Sequence, residues 1–209
     1  MTESKLVQII RKLKETRTSK QVKKKIKEFK ENGRQGINEI FSELCFCLLT
    51  ANYSAEGGIR IQNSVGKGFH SLSEEKLADK LKKLGHRFPN ARACYIKEAR
   101  RHRKELEKII KKGSENETRE WLVRNIKGIG YKEASHFLRN IGFEDVAIID
   151  FHIVDLLVKH KLIEKPKTLT KNKYLNIEEK LKEIASESGT NLAELDLYLW
   201  YLETGKILK

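Results

Sequence analysis

Residues 121–140 read WLVRNIKGIGYKEASHFLRN. The apolar spacing on both sides is helical, yet Gly128 and Gly130 stand two residues apart in the middle. The pattern predicts a helix that ends over residues 121–126, a turn KGIG, and a second helix over residues 131–140. Two glycines permit positive φ and let the backbone approach a ligand closely. The amides that open the second helix have no intrahelical acceptor, and with the helix dipole they make an anion site. Ile129 between the glycines can anchor the turn in the core. A backbone phosphate gripped by the amides around Gly128, Gly130 and Tyr131, with Lys127 beside them, is held without its bases being read. A bare corner between two helices is the alternative.

Charge favours the ligand. Lys and Arg outnumber Asp and Glu by 43 to 29, a formal charge of +14. A surface rich in Lys and Glu usually balances its signs; this excess points to a polyanion, with nucleic acid ahead of a membrane surface. No apolar run approaches the ~20 residues that span a bilayer. The opening MTESKLVQII lacks a signal peptide's apolar core, so a cytoplasmic protein is expected. Cys45, Cys47 and Cys94 are an odd set without a disulfide framework or clustered metal-ligand partners, and all three read as small buried hydrophobes.

The 209 residues can bury a sizeable core, and almost every segment has a helical period. Residues 4–31 predict one or two amphipathic helices ending at Asn32-Gly33. Residues 37–50 are apolar on more than one face and suit a central buried helix. Ser73 can cap a helix that Gly85 ends. Residues 90–112 predict one long basic helix stopped by Gly113. Ser114 with Glu117 forms a capping box, and Asn176 with Glu179 a similar signal. Residues 191–203 predict a last helix, and 163–173 the clearest loop. The expectation is an all-α protein of roughly ten helices.

Lys132 falls in the first turn after the glycine break. The helix dipole disfavours an ammonium there, and partial desolvation favours the neutral amine, a nucleophile that makes Schiff bases at carbon. Downstream, an apolar run ends at Asp150, where a helix N-cap belongs. Taken singly, Asp150 is explained by capping and Lys132 by solvation.

Together they carry a resemblance. A G-I-G-x-K turn, followed 18 residues later by Asp at the start of a helix, resembles the helix-hairpin-helix DNA glycosylase superfamily, which includes endonuclease III. CFCLLTANYSA is similar to that superfamily's central helix and the turn after it, and LGHRFPNARACYI to a further stretch. The ending ELDLYLWYLETGKILK looks like the compact archaeal-type 8-oxoguanine DNA glycosylase/AP lyase family. The iron–sulfur cysteines of endonuclease III are absent, which argues against that branch.

The resemblance implies a two-lobed all-α fold with its site in the cleft between lobes. Residues 34–148 would form a helical barrel carrying the hairpin (about 118–140), and 1–33 with 149–209 the second lobe. It implies that Lys132 attacks C1′ of a flipped nucleotide, that Asp150 stabilises the charge on the sugar, and that a Schiff base leads to strand cleavage by β-elimination. Neither metal nor organic cofactor is needed. Lys209 and its carboxylate would read 8-oxoguanine, Trp200 would stack on it, Phe88 would close the other side, and Asn52 would fill the gap in the duplex. Core packing for Trp200 and a frayed end for Lys209 are the bland alternatives. The expected partner is double-stranded DNA containing 8-oxoguanine or abasic sites, bound by a monomer. The rivals are a same-fold glycosylase/lyase for another damaged base and a non-catalytic helix-hairpin-helix DNA-binding module.

Overall fold

Side-chain caps open most of the helices, and the apolar stripe behind each cap decides where it packs. Ser4 accepts from the Val7 amide at 3.2 Å to start α1 (Lys5–Lys14), and Thr16 caps α2 (Arg17–Gly33). Leu6, Val7 and Ile10 of α1 and Val22, Ile26 and Phe29 of α2 are buried, with their lysines turned outward. The computed structural model describes residues 4–209, among which there are thirteen α-helices, one 3-10 turn and no strand.

Helix α3 (Ile37–Thr50) is the central element: every side chain from residue 43 to residue 50 is buried. Around it lie α4 (Ala55–Val65), α5 (Gly68–Ser71), α6 (Glu74–Lys83), α7 (Pro89–Ala99), α8 (Arg103–Lys112), α9 (Glu115–Asn125) and α10 (Tyr131–Asn140). Their buried side chains join α3 in one hydrophobic cluster that runs from Ile40 to Val146. A second cluster takes α1 and α2 together with α11 (Phe151–Lys159), α12 (Lys171–Ser188) and α13 (Leu192–Thr204). Each fully buried Leu or Phe in these clusters contributes about 1.5–3 kcal/mol of transfer free energy.

Capping reads as expected at Ser73, which accepts from the Lys76 amide, and at Ser114, whose box with Glu117 is complete. Three details differ. Residues 90–112 are not one helix: a 3-10 turn at Arg100–His102 separates α7 from α8. At this turn the Arg100 guanidinium donates to the carbonyls of Phe69 and Leu72, both at 2.7 Å, and so pins the end of α5. Asn176 does not open a helix but lies inside α12; the cap is Thr170, because the buried stripe already begins at Tyr174. Cys45 and Cys47 are fully buried, and burial pushes their thiols up, whereas Cys94 is only half-buried, with its thiol donating to Glu98 at 3.5 Å.

Candidate active site

Helix α9 stops at Asn125, and the chain turns through Lys127 and Gly128 with the Ile129 amide donating to the Ile126 carbonyl at 3.2 Å. Only Gly128 uses the left-handed region, at φ +86°; Gly130 is extended, at φ −100° and ψ −173°. An added Cβ at Gly128 would lie 2.4 Å from the Tyr95 ring, so the position is closed to side chains for two reasons. Ile129 is buried in the first cluster and fixes the turn from within. The Gly130 amide is occupied by the Glu133 carboxylate at 3.3 Å, the returning half of a capping box, which the sequence did not foresee because glycine has no side chain for the other half. The amides of Tyr131 and Lys132 have no acceptor among the described residues.

From this turn α10 carries Lys132 into a cleft of about 590 Å³. Asp150, Trp200, Lys209 and Asn52 line the same cleft. Lys132 is about one quarter exposed, and Nζ lies 3.8 Å from Glu133 Oε1. Asp150 caps α11 through Oδ1, which accepts from the Ile153 amide at 3.1 Å. The segment that leads to it is held by one hydroxyl. The Tyr174 hydroxyl donates to the Ala147 carbonyl at 2.6 Å and accepts from the Ile149 amide at 3.2 Å. Trp200 is half-buried on α13, its ring edge-on to His152 at 6.1 Å. Lys209 is anchored: Nζ is 2.7 Å from Glu43 Oε1 and 4.5 Å from the centre of the Phe46 ring. Asn52 follows α3 with φ +60°.

Phe88 stands elsewhere. It lines a second surface cavity with Asn52, Tyr95 and Gly128, beside the hairpin rather than with Trp200, and the Arg87 guanidinium lies 5.0 Å from its ring centre. Lys127 is exposed, 3.5 Å from Glu98 and 5.6 Å from the Tyr95 ring centre. The Tyr131 side chain donates to Glu120 of α9 and packs on Tyr174.

The sequence reading missed several residues of the cleft. His136 lies one turn beyond Lys132 on the same face of α10, a spacing that could have flagged it. Burial holds its imidazole well below the ordinary value, and Arg139, Lys132 and Lys209 add to the effect. Arg139 and Asp196 form a buried ion pair 57 residues apart, with no local signal. Burial pushes the Asp196 carboxyl up, although Arg139 beside it pulls down and Asp150 pushes further up. No group of three or more His, Cys, Asp or Glu that could hold a metal occurs among the described residues. The cleft thus brings a lysine amine, a capping carboxylate, an indole face and a fixed polar wall around one space.

Similarities to known proteins follow this geometry. A family model described as 8-oxoguanine DNA glycosylase matches residues 22–190. The chain is 54% identical over 206 residues to the 8-oxoguanine DNA glycosylase/AP lyase of Korarchaeum cryptofilum, spanning 98% of each protein. It is 53% identical to that of Methanocaldococcus jannaschii, spanning 98% of this chain and 99% of the other. The crystal structure of the M. jannaschii 8-oxoguanine glycosylase/lyase in complex with a 15mer DNA containing 8-oxoguanine matches with a TM-score of 0.94, covering 98% and 99% of the two chains at 53% identity. The 8-oxoguanine DNA glycosylase of Thermotoga maritima matches with a TM-score of 0.92 at 48% identity, over 98% of each chain. Hairpin, cleft and likeness agree: the chain belongs to the 8-oxoguanine DNA glycosylase family, with its helix-hairpin-helix fold.

Proposed function

We infer that this chain excises 8-oxoguanine from DNA and cleaves the strand at the resulting abasic site. One observation supports the assignment of residues above all: Lys132 and Asp150 open on the same cleft, immediately behind a turn that presents unpaired amides. No helix among the described residues is long and apolar enough to cross a membrane, and the +14 charge suits a DNA backbone. A monomer in the cytoplasm suffices for this reading. Residues 34–148 serve as the barrel lobe, and 4–33 with 149–209 as its partner, residues 1–3 lying outside the described ones, so the cleft falls at the join.

The hairpin grips one phosphate through the Tyr131 and Lys132 amides, with Lys127 adding charge nearby. The damaged nucleotide must leave the stack to reach the cleft, and Asn52, in the turn between the two cavities, fills the space it vacates. The unprotonated Lys132 amine attacks C1′, the N-glycosidic bond breaks, and the base departs with the bonding pair and takes up a proton. Asp150 stabilises the positive charge on the sugar and accepts a proton from the amine. The C1′–O4′ bond then breaks, O4′ takes up a proton to become the C4′ hydroxyl, and the nitrogen forms the C1′=N Schiff base; removal of a C2′ proton then expels the 3′ phosphate by β-elimination. Trp200 stacks on the base, and Lys209 reads it. Phe88 shares the neighbouring cavity with Asn52 and so bears on the duplex beside the hairpin rather than on the base in the cleft.

Borohydride reduces a Schiff base to a stable covalent link. Duplex DNA carrying 8-oxoguanine opposite cytosine is incubated with the protein and borohydride, and the products are separated under denaturing conditions. Wild type gives a protein–DNA adduct and Lys132→Gln gives none. An undiminished adduct with Lys132→Gln refutes the assignment of the nucleophile.

A further inference from the structure

Glu43 is the one charged side chain in the fully buried part of α3, and only 8% of its surface is exposed. A carboxylate in that position is strongly unfavourable unless it is paired. Three side chains pair it. Gln62 Nε2 donates to Oε1 at 3.0 Å, Asn140 Nδ2 donates to Oε2 at 3.3 Å, and Lys209 Nζ donates to Oε1 at 2.7 Å. The same ammonium donates to Gln62 Oε1 at 2.5 Å. Glu43 and Gln62 do not themselves line the cleft, whereas Lys209 does.

Beyond Gly205 the chain forms no helix. Ile207 packs against the second cluster, the Lys209 backbone is hydrogen-bonded to His136, and the ion pair of Lys206 with Glu56 at 2.5 Å is more than half exposed on both partners. Exposed pairs of that kind hold little, so among the charged contacts of this segment the buried one with Glu43 is what seats the Lys209 side chain. With its ammonium committed to Glu43, Gln62 and the Phe46 face, Lys209 presents its backbone to the cleft rather than a free charge. The cleft wall is therefore set from behind by a residue on the central helix.

We propose that Glu43, with Gln62, is the socket that seats Lys209 in the cleft, and is a positioning residue for recognition of the oxidised base. The proposal rests on the reading of Lys209 as a base-recognition residue. Glu43 acts through Lys209 and touches neither base nor sugar.

The test compares single-turnover excision of 8-oxoguanine with cleavage of a preformed abasic site, using the full chain. The variants are Glu43→Gln, Lys209→Met and the two combined, together with a chain lacking Lys209. Glu43→Gln keeps the shape and the hydrogen bond from Gln62 but removes the charge that holds the ammonium. Excision by Glu43→Gln falls about tenfold, the loss expected of one charge-assisted hydrogen bond, and falls further than abasic-site cleavage does. The combined variant is no worse than either single one, because both changes break one contact. The proposal is overturned if Glu43→Gln excises at the wild-type rate while loss of Lys209 cripples excision. Equal loss of excision and abasic-site cleavage, or losses that multiply in the combined variant, also overturn it. If deleting Lys209 leaves excision intact, the reading of Lys209 itself fails and takes the socket with it.

Discussion

Arg119 and Glu178 join the two hydrophobic clusters through a pair of parallel hydrogen bonds, Nη1 to Oε2 at 2.5 Å and Nη2 to Oε1 at 2.8 Å, with both side chains only 2% exposed. The first residue belongs to α9, just before the hairpin, and the second to α12. Glu178 Oε2 also accepts from the Ala147 amide at 2.8 Å, three residues before Asp150. One carboxylate thus ties the helix that leads into the glycine turn to the segment that leads into the capping aspartate. The relative placement of Lys132 and Asp150 depends on a group that touches neither.

Breaking that pair leaves a buried charge uncompensated, which typically costs about 3–5 kcal/mol. Arg119→Met is expected to melt some 10 °C or more below wild type, at about 2–4 °C per kcal/mol for a chain of this size. Adding Glu178→Gln removes the stranded charge but keeps an acceptor for the Ala147 amide, so the double variant recovers part of the loss. Thermal unfolding followed by circular dichroism decides it. A double variant that melts below Arg119→Met alone shows that the charge was not the source of the cost.

The two hairpin glycines are not equivalent. Gly128→Ala must accept a left-handed backbone and a methyl group against the Tyr95 ring, and is expected to lose about 1–3 kcal/mol of stability and to weaken DNA binding. Gly130→Ala meets an ordinary extended backbone, with the Glu133 carboxylate 3.3 Å from the new Cβ, and should cost well under half as much. Urea titrations of the two variants, with fluorescence anisotropy on a duplex, separate them. Equal effects would mean that the turn is not held by Gly128.

The glycine turn, the helix after it and the cap at Asp150 were legible because each is local: a residue type fixes its own backbone or that of a neighbour within four positions. The break in residues 90–112 was not, because it goes with Arg100 reaching carbonyls some thirty residues earlier. Asn176 misled for the opposite reason: a polar residue with Glu three positions on is a cap only where the apolar stripe begins, and here the stripe starts at Tyr174. Glu43 left a trace, a lone charge in an apolar run, but its partners lie 19, 97 and 166 residues away. Arg139 with Asp196 left none. Lys132 and Asp150, expected from the sequence to act together, do share one cleft, and the wall around them comes from packing at long range.

Asp150 caps α11, and substitution can divide that role from the catalytic one proposed for its carboxylate. Asn retains a side-chain oxygen for the Ile153 amide, so Asp150→Asn should keep stability within about 0.5 kcal/mol of wild type. Ala removes the cap and should cost about 1 kcal/mol more. Both variants lack the carboxylate and should lose roughly 100-fold or more in excision rate. Melting curves and single-turnover rates on the same preparations test the separation. An Asn variant that excises at near the wild-type rate would reduce Asp150 to a cap.

His136 gives the fold a dependence on pH with a definite sign. Burial lowers its affinity for a proton, and the cations of Arg139, Lys132 and Lys209 lower it further, so the folded value lies well below the ordinary imidazole value of about 6.5. Above that value neither folded nor unfolded chain protonates the ring, and the contribution to stability is complete. As pH falls below about 6.5, the unfolded chain takes up a proton that the folded chain refuses, and stability is lost until the depressed folded value is reached. The largest slope from one such group is about 1.4 kcal/mol per pH unit. His70, His86 and His160 shift in the same direction through burial, so a variant of His136 keeps part of the slope. The unfolding free energy of wild type, from urea titrations at pH 7 and pH 5, should therefore fall by more than that of His136→Gln, whatever the variant loses at neutral pH through repacking. Parallel declines in the two proteins would show that the ring is protonated as readily in the folded chain as in the unfolded one.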